Sequence, residues 1–273
     1  MIGYLAEMFS YPFMVRAFVA GGLLCICAAL LGVSLVLKRF SMIGDGLSHV
    51  GFGALAVASA LNLAPLFVAV PVVIAAAFLL LRMSESGKMK GDAATAVFSA
   101  GALAIGVMVV SMSTGMNADL NSYLFGSILA MSKRDVVLTV ILSVTVLLFY
   151  LLFYDKLFAV TFDESFARAT GVKTGVYHSL LAVLTAVVVV LGMRMMGALL
   201  ISSLIVFPAL TSMRLFKSYR GVLASSVVIA VFGFCTGMCM SFWFGTPSGA
   251  SIVVVDTVLF CISAFLGWMR ELR

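Results

Sequence analysis

The chain has 273 residues, of which 63% are hydrophobic and 10% are charged, whereas a soluble globular domain carries roughly 25% charged residues. This composition excludes an ordinary soluble domain and predicts an integral membrane protein with hardly any soluble mass. The formal net charge of +6 is explained by basic residues between apolar segments rather than by nucleic-acid binding. We expect a single transmembrane domain over residues 1–273, without a cleavable signal peptide.

Nine apolar segments follow one another along the chain, each close to the roughly 20 residues that a membrane-spanning helix needs. They predict an all-α bundle of nine transmembrane helices. Eight or ten helices are the alternatives, because several of the turns are very short. The predicted spans are 13–37, 46–62, 64–81, 93–112, 135–154, 176–193, 196–214, 221–243 and 250–269.

The basic residues predict how the bundle is oriented, because cytoplasmic loops are enriched in Lys and Arg. Placing the loops after the first, third, fifth and seventh spans inside, together with the C-terminus, collects 13 of the 17 Lys and Arg residues. The N-terminus is then outside and the C-terminus cytoplasmic. With eight spans the N-terminus would move inside. The basic residues left outside are Arg16, Lys133, Arg134 and Arg194.

The most informative motif is G-D-G-L-S-H at 44–49, which places Asp45 and His49 four residues apart within apolar sequence. On a helix these two side chains lie on one face. A carboxylate oxygen and an imidazole nitrogen form half a site for a divalent transition metal, and ionisable groups at membrane depth usually mark a transport pathway. The pair therefore predicts passage of a metal ion. The alternative is a capping carboxylate beside a histidine bonded to a buried carbonyl.

A polar segment at 119–127 lies between predicted spans and is too short to cross the membrane. We expect a re-entrant or broken helix near the outer surface, covered by protein or water. Its Asp119 is a candidate for the outer end of the pathway or for receptor docking, with a solvated surface carboxylate as the alternative.

The inner loop at 161–173 carries charges of both signs. Thr161 with Glu164 three residues later resembles a capping box, and Gly171 resembles a helix-ending glycine. The pattern predicts one short helix on the cytoplasmic side.

Two further features lie in the last spans. Asp256 is inside the ninth predicted span, where a carboxylate is costly and usually faces a cavity, so it is a second candidate pathway residue. Gly233 and Gly237 form a G-x-x-x-G motif that permits close helix approach. His178, at the inner start of a span, is expected to be interfacial rather than a metal ligand.

Enzymatic motifs are missing from the sequence. No G-x-x-x-x-G-K-[ST] motif is present, so we expect no nucleotide-binding domain and no P-loop binding of ATP by this chain. His49 and His178 are the only histidines, and no H-E-x-x-H motif occurs. We therefore expect that the protein is not an enzyme.

Five segments resemble the membrane permease subunits of ABC-type importers for zinc, manganese and iron, the ABC-3 type metal permeases. The first carries the basic pair and the G-D-x-x-(S/A)-H signature, and the second resembles the D-L-x-x-Y-L-F-G segment of the zinc members. The third resembles the cytoplasmic coupling segment of the family. The segments, in family order, are 38–49, 119–129, 163–172, 197–209 and 246–253.

The resemblance implies a homodimeric permease in the bacterial cytoplasmic membrane. Its partners would be cytoplasmic ABC ATPase subunits and an extracytoplasmic metal-binding receptor protein, with no nucleic acid. Asp45 and His49 would lie on the path of Zn²⁺, or of Mn²⁺ or Fe²⁺, as transported substrate, and no permanently bound cofactor is implied. The residues implied to couple to the ATPase are Asp163, Glu164, Phe166, Ala167, Arg168 and Gly171.

Three functions other than metal import by an ABC permease are alternatives. An ATP-independent metal channel or secondary transporter would have no use for a charged docking helix at 155–175. An intramembrane enzyme would use Asp45 and His49 in acid–base chemistry, which no other motif supports. A permease for siderophores or cobalamin has related architecture, but the Asp–His pair favours a bare ion.

Overall fold

The computed structural model describes residues 7–85, 91–113 and 133–271, and the regular secondary structure in these ranges is helical. The predicted segment at 119–127, including Asp119, lies outside the described residues. The helices are α1 (Pro12–Leu37), α2 (Ile43–Ala60), α3 (Pro65–Glu85), α4 (Gly91–Met112), α5 (Lys133–Leu152), α6 (Tyr154–Phe162), α7 (Glu164–Ala169), α8 (Thr174–Met196), α9 (Ala198–Leu215), α10 (Tyr219–Phe244) and α11 (Ser248–Glu271).

Nine of these helices correspond one for one to the predicted spans, which confirms an all-α membrane bundle. Seven of them are long and apolar enough to cross a membrane, and α9 contributes a shorter apolar helix. The remaining one, α2, has 18 residues and includes Asp45 and His49, which lower its apolar character.

The core of the bundle is formed by α1 and α8, the most enclosed of the spans. Helix α1 packs against α5, α8, α9 and α10, while α2 packs against α3, α4, α8 and α9. Helices α3, α4, α5 and α11 are the least enclosed of the seven. Their exposed positions are mainly large apolar side chains, as expected where a membrane protein meets lipid.

Contacts at the two ends of the bundle show that α1 and α5 run in one direction and α8 in the other. The last residue before the α1–α2 turn, Lys38, lies beside Glu164 of α7 and His178 of α8. At the opposite end of α8, Arg194 Nη1 lies 3.1 Å from Asp135 Oδ1 in the first turn of α5. The α1–α2 turn, α6, α7 and the start of α8 therefore lie at one end of the bundle.

Glycines allow backbone-to-backbone packing at several helix pairs, of which α2 with α4 and α10 with α11 are two. A Cβ atom added at Gly53 of α2 would lie 2.6 Å from the carbonyl oxygen of Ala102 in α4. In the second pair, a Cβ atom at Gly237 of α10 would lie 2.5 Å from the Cα atom of Ile252 in α11. The predicted role of the G-x-x-x-G motif in close helix approach is confirmed.

Helix α2 is bounded at both ends by hydrogen-bonded chain reversals. After α1, the amide of Arg39 donates to the carbonyl of Val36, and the amide of Phe40 donates to the carbonyl of Leu35. Arg39 has a φ of 61° and Asn62, after α2, has a φ of 55°. Both reversals have the hydrogen bonds and the left-handed residue of a Schellman motif. The turn from Lys38 to Met42 is therefore an ordered connection.

The inner loop differs from the predicted single helix. Thr161 does not cap a helix; it lies inside α6, and the chain breaks at Asp163, whose backbone is extended (φ −146°, ψ 96°). Asp163 is the N-cap of α7, because its Oδ1 accepts a hydrogen bond of 2.9 Å from the amide of Phe166. The predicted end at Gly171 is confirmed by its φ of 84°.

Candidate functional site

Asp45 and His49 lie in the first half of α2, and their side chains share one helix face, as their four-residue spacing predicted. Helix α2 begins at Ile43, so Asp45 is in its first turn. The His49 Nε2 atom lies 3.7 Å from Asp45 Oδ2, and the two side chains are 21% and 41% exposed, respectively. From α9, the Ser202 hydroxyl donates to Asp45 Oδ1 at 3.4 Å. The pair is thus contacted by a third polar side chain that the sequence did not indicate as part of a site.

The pair occupies the one uncovered face of this part of α2. From Ile43 to Ala56, Asp45 and His49 are the two residues that are not buried. The glycines on either side of Asp45 face neighbouring helices. A Cβ atom at Gly44 would lie 2.9 Å from Ile205 Cδ1 of α9, and Gly46 lies against Thr95 of α4. The packing of α2 therefore leaves the carboxylate and the imidazole accessible while it covers the adjacent positions.

The donor atoms of the pair fit an incomplete metal site. The imidazole Nε2 is directed toward the Asp45 carboxylate, and the buried Nδ1 of His49 has no hydrogen-bond partner in the described part of the chain. Within the described ranges, no third His, Cys, Asp or Glu joins the two residues in a group that could hold a metal. One chain thus supplies two ligands, fewer than the four of a closed zinc site.

Asp256 has a different environment from the predicted pathway pair. It is 1% exposed, and neither of its carboxylate oxygens has a hydrogen-bond partner within the described ranges. Its Oδ1 lies where a Cβ atom of Gly233 would otherwise be, at the packed interface of α10 and α11. The structure does not bring Asp256 to Asp45 and His49.

The residues predicted to couple to an ATPase form the compact turn of α7. Arg168 Nη2 lies 3.0 Å from Glu164 Oε1, while Ala167 is fully buried and Phe166 is 65% exposed. Helix α7 is therefore attached to the bundle through Ala167 and presents an aromatic side chain at the surface. Asp163 and Gly171 define its two ends.

Sequence reasoning missed a polar cluster that joins α7 to the membrane helices. We name Lys38, Glu164, Arg168 and His178 the inner cluster. Lys38 Nζ is hydrogen-bonded to His178 Nε2, and Glu164 Oε2 lies 3.4 Å from His178 Nε2 and 3.8 Å from Lys38 Nζ. His178 was expected to be interfacial, and Lys38 contributed to the predicted orientation and to the basic pair of the first family segment. The signal for the cluster was the predicted topology, which places all four residues on the same side of the membrane.

Comparisons with known proteins agree over almost the whole chain. The sequence profile of the ABC 3 transport family matches residues 10–267. The high-affinity zinc uptake system membrane protein ZnuB of Haemophilus influenzae is 26% identical, with 91% of this chain and 95% of that protein covered. The manganese transport system membrane protein MntB of Synechocystis is 30% identical, with 95% of this chain and 85% of that protein covered.

A solved structure, PsaBC from Streptococcus pneumoniae in complex with Fab, is similar to this fold. The superposition has a TM-score of 0.86 at 27% sequence identity and covers 96% of this chain and 95% of the solved chain. Family profile, relatives and fold agree from the first span to the last. The chain therefore belongs to the ABC 3 transport family.

Proposed function

We propose that the chain is the membrane permease subunit of an ATP-driven importer of divalent transition metal ions, with zinc favoured over manganese and iron. The observation that carries this proposal is the exposure of Asp45 and His49 on an otherwise buried stretch of α2. Family membership supports transport, and the similar ZnuB and MntB are named for zinc and manganese.

In this mechanism the ion is held briefly by one Asp45 carboxylate oxygen and one His49 nitrogen. Both groups bind metal only when deprotonated. Because the chain supplies two ligands, the remaining coordination positions are filled by water or by the same pair from a second copy of the chain. An open coordination shell favours release, which a transported ion requires. The Ser202 hydroxyl orients the Asp45 carboxylate through its hydrogen bond.

The proposal includes three partners. A second copy of the chain completes a homodimer, and an extracytoplasmic metal-binding receptor protein delivers the ion. Cytoplasmic ABC ATPase subunits hydrolyse ATP, because the chain has no P-loop. The exposed Phe166 of α7 is the proposed anchor for the ATPase, since exposed aromatic side chains are common at the centres of interfaces. This arrangement places α7 and the C-terminus in the cytoplasm of a bacterial cell.

The choice of metal depends on sequence segments outside the Asp45–His49 pair. An Asp oxygen and a His nitrogen accept zinc, manganese and ferrous iron, so the ligand types do not select one of them. Zinc is favoured because the D-L-x-x-Y-L-F-G and G-A-L-L-I-x-S-L segments resemble those of zinc permeases. A competition measurement between the three ions decides the substrate.

The test is metal uptake into proteoliposomes that contain this chain and its ATPase, with receptor protein outside and ATP inside. We expect ATP-dependent uptake of one metal, reduced at least about tenfold in His49→Gln, because the imidazole is one of two ligands. Thr145→Val, on the exposed face of α5 and bonded only to its own helix, is the matched control and should transport normally.

Two outcomes would contradict the proposal. Uptake that needs no ATP would favour a channel or secondary transporter over an importer. Normal uptake by correctly assembled His49→Gln would remove the α2 pair from the metal path.

A further inference from the structure

The side chains of the inner cluster have no role in the proposed transport cycle described above, although they connect α7 to α1 and α8. Its Lys38 and His178 side chains are 10% and 9% exposed, whereas Glu164 is 40% exposed. Since an ammonium group cannot accept a hydrogen bond, Lys38 donates to Nε2 of His178. The Glu164 carboxylate of α7 then pairs with the Lys38 ammonium group, 3.8 Å away, and not with the unprotonated Nε2 beside it. Moving Glu164 or His178 away would leave the enclosed Lys38 charge without a partner, which costs free energy. The three side chains are therefore expected to move together.

Lys38 is also the residue at which α1 ends. It is the C-cap of that helix, and only the turn through Met42 separates it from α2. Backbone hydrogen bonds close this turn, among them those from Phe40 to Leu35 at 2.9 Å and from Ile43 to Phe40 at 3.1 Å. Asp45 follows in the first turn of α2. An ordered connection therefore leads from the inner cluster to the proposed metal ligand.

A second, indirect connection joins the preceding turn of α1 to α6, the helix before α7. Ser34, one helical turn before Lys38, lies 3.2 Å from the Tyr150 hydroxyl and 3.3 Å from the Tyr219 hydroxyl. The Tyr219 ring packs against Phe158 of α6, with centroids 4.7 Å apart. Helix α7 thus contacts the end of α1 directly through the charged inner cluster, whereas α6 is connected to it through Tyr219 of α10.

We propose that Lys38 is a positioning residue that transmits movement of α7 through the α1–α2 turn to the Asp45–His49 pair. The inference rests on the proposed function, in which α7 docks on the ATPase. A displacement of α7 shifts Glu164, and Lys38 follows because its ammonium group is held between that carboxylate and His178. The end of α1 moves with it and changes the position of the α2 pair.

The test compares metal transported per ATP hydrolysed in proteoliposomes. Lys38→Met keeps the aliphatic stem but removes the charge, and Lys38→Arg keeps the charge. We expect Lys38→Met to lower metal transported per ATP by about tenfold, with ATP hydrolysis and metal binding to the purified permease unchanged. Lys38→Arg should restore most of the ratio. The adjacent Arg39→Met is the matched control, because Arg39 is exposed, and it should retain the wild-type ratio.

A second variant tests the same network from α8. His178→Leu removes the acceptor for Lys38 and should lower the ratio in the same way. The double variant with Lys38→Met should be no worse than the poorer single variant, because both changes break one connection. Additive losses would overturn the proposed route.

Other outcomes would separate this inference from the proposed function. An unchanged ratio in Lys38→Met, or a parallel loss of uptake, ATP hydrolysis and complex assembly, would overturn the transmitting role and leave transport itself standing. Absence of ATP-dependent uptake by the wild-type chain would instead overturn the proposed function, and this coupling with it.

Discussion

Two aspartates at membrane depth have opposite surroundings. Asp45 on α2 is 41% exposed and lies near His49 and Ser202. Asp256 on α11 is 1% exposed, packed against Gly233, and has no hydrogen-bond partner within the described ranges. A carboxylate is costly in a membrane wherever it lies, but only an accessible one can exchange ligands. The contrast favours Asp45 over Asp256 as a residue of the proposed metal path.

Replacing each aspartate in turn with asparagine tests this contrast and has the largest expected effect. We expect Asp45→Asn to lower metal uptake at least about tenfold, because an amide is a poor replacement for a carboxylate ligand. Asp256→Asn should retain at least about half of the wild-type uptake, since its side chain lies outside the pair. Uptake of radioactive metal by assembled permease measures both. An equal loss at both positions would make Asp256 a second pathway residue.

The enclosure of Asp256 can be tested through its glycine neighbour. Gly233→Ala should destabilise the permease by about 1–3 kcal/mol, because the added methyl group overlaps the position of the carboxylate. Gly22→Ala is the matched control, since no atom lies within 4 Å of a Cβ atom at that position. Thermal unfolding in detergent measures the difference. Equal stability of the two variants would show that Asp256 has room to move away from Gly233.

The smallest expected effect concerns the third polar group near Asp45. Ser202→Ala removes the hydroxyl that donates to Asp45 Oδ1 at 3.4 Å and should weaken metal binding about two- to fivefold, because a hydrogen bond this long contributes only about 0.5–1 kcal/mol. Ser225→Ala, whose hydroxyl bonds to its own helix, should bind metal normally. Titration of purified permease with metal measures both. A larger loss in Ser202→Ala would make the hydroxyl a metal ligand in its own right.

The spans were predictable from sequence because each is a long apolar segment, and the observed helices follow the predicted ranges closely. The start of α2 was less accurate, since Asp45 and its glycines interrupt the apolar pattern and moved the predicted start to residue 46. The inner loop was wrong in detail because Asp163, rather than Thr161, provides the cap of α7.

The contacts between distant residues could not be predicted. Asp45 and His49 were expected on one face because four residues make about one helical turn. Ser202 approaches Asp45 from a helix 157 residues away, and Lys38 meets His178 across 140 residues. Such contacts depend on how helices pack, and one sequence without aligned relatives contains no direct signal for them.

The chain reversal at Arg39 and Phe40 limits the number of residues that the turn between α1 and α2 can contain. Each residue of a helix turns the next by about 100°, so one residue that extended α2 between Met42 and Ile43 would rotate the rest of the helix about its axis if the turn kept its conformation. The glycines that now face α4 and α9 would turn outward, and Asp45 and His49 would turn into a packed helix. The number of residues from Lys38 to Met42 therefore sets the direction in which the pair points. Insertions and deletions in this turn should be far less tolerated than substitutions.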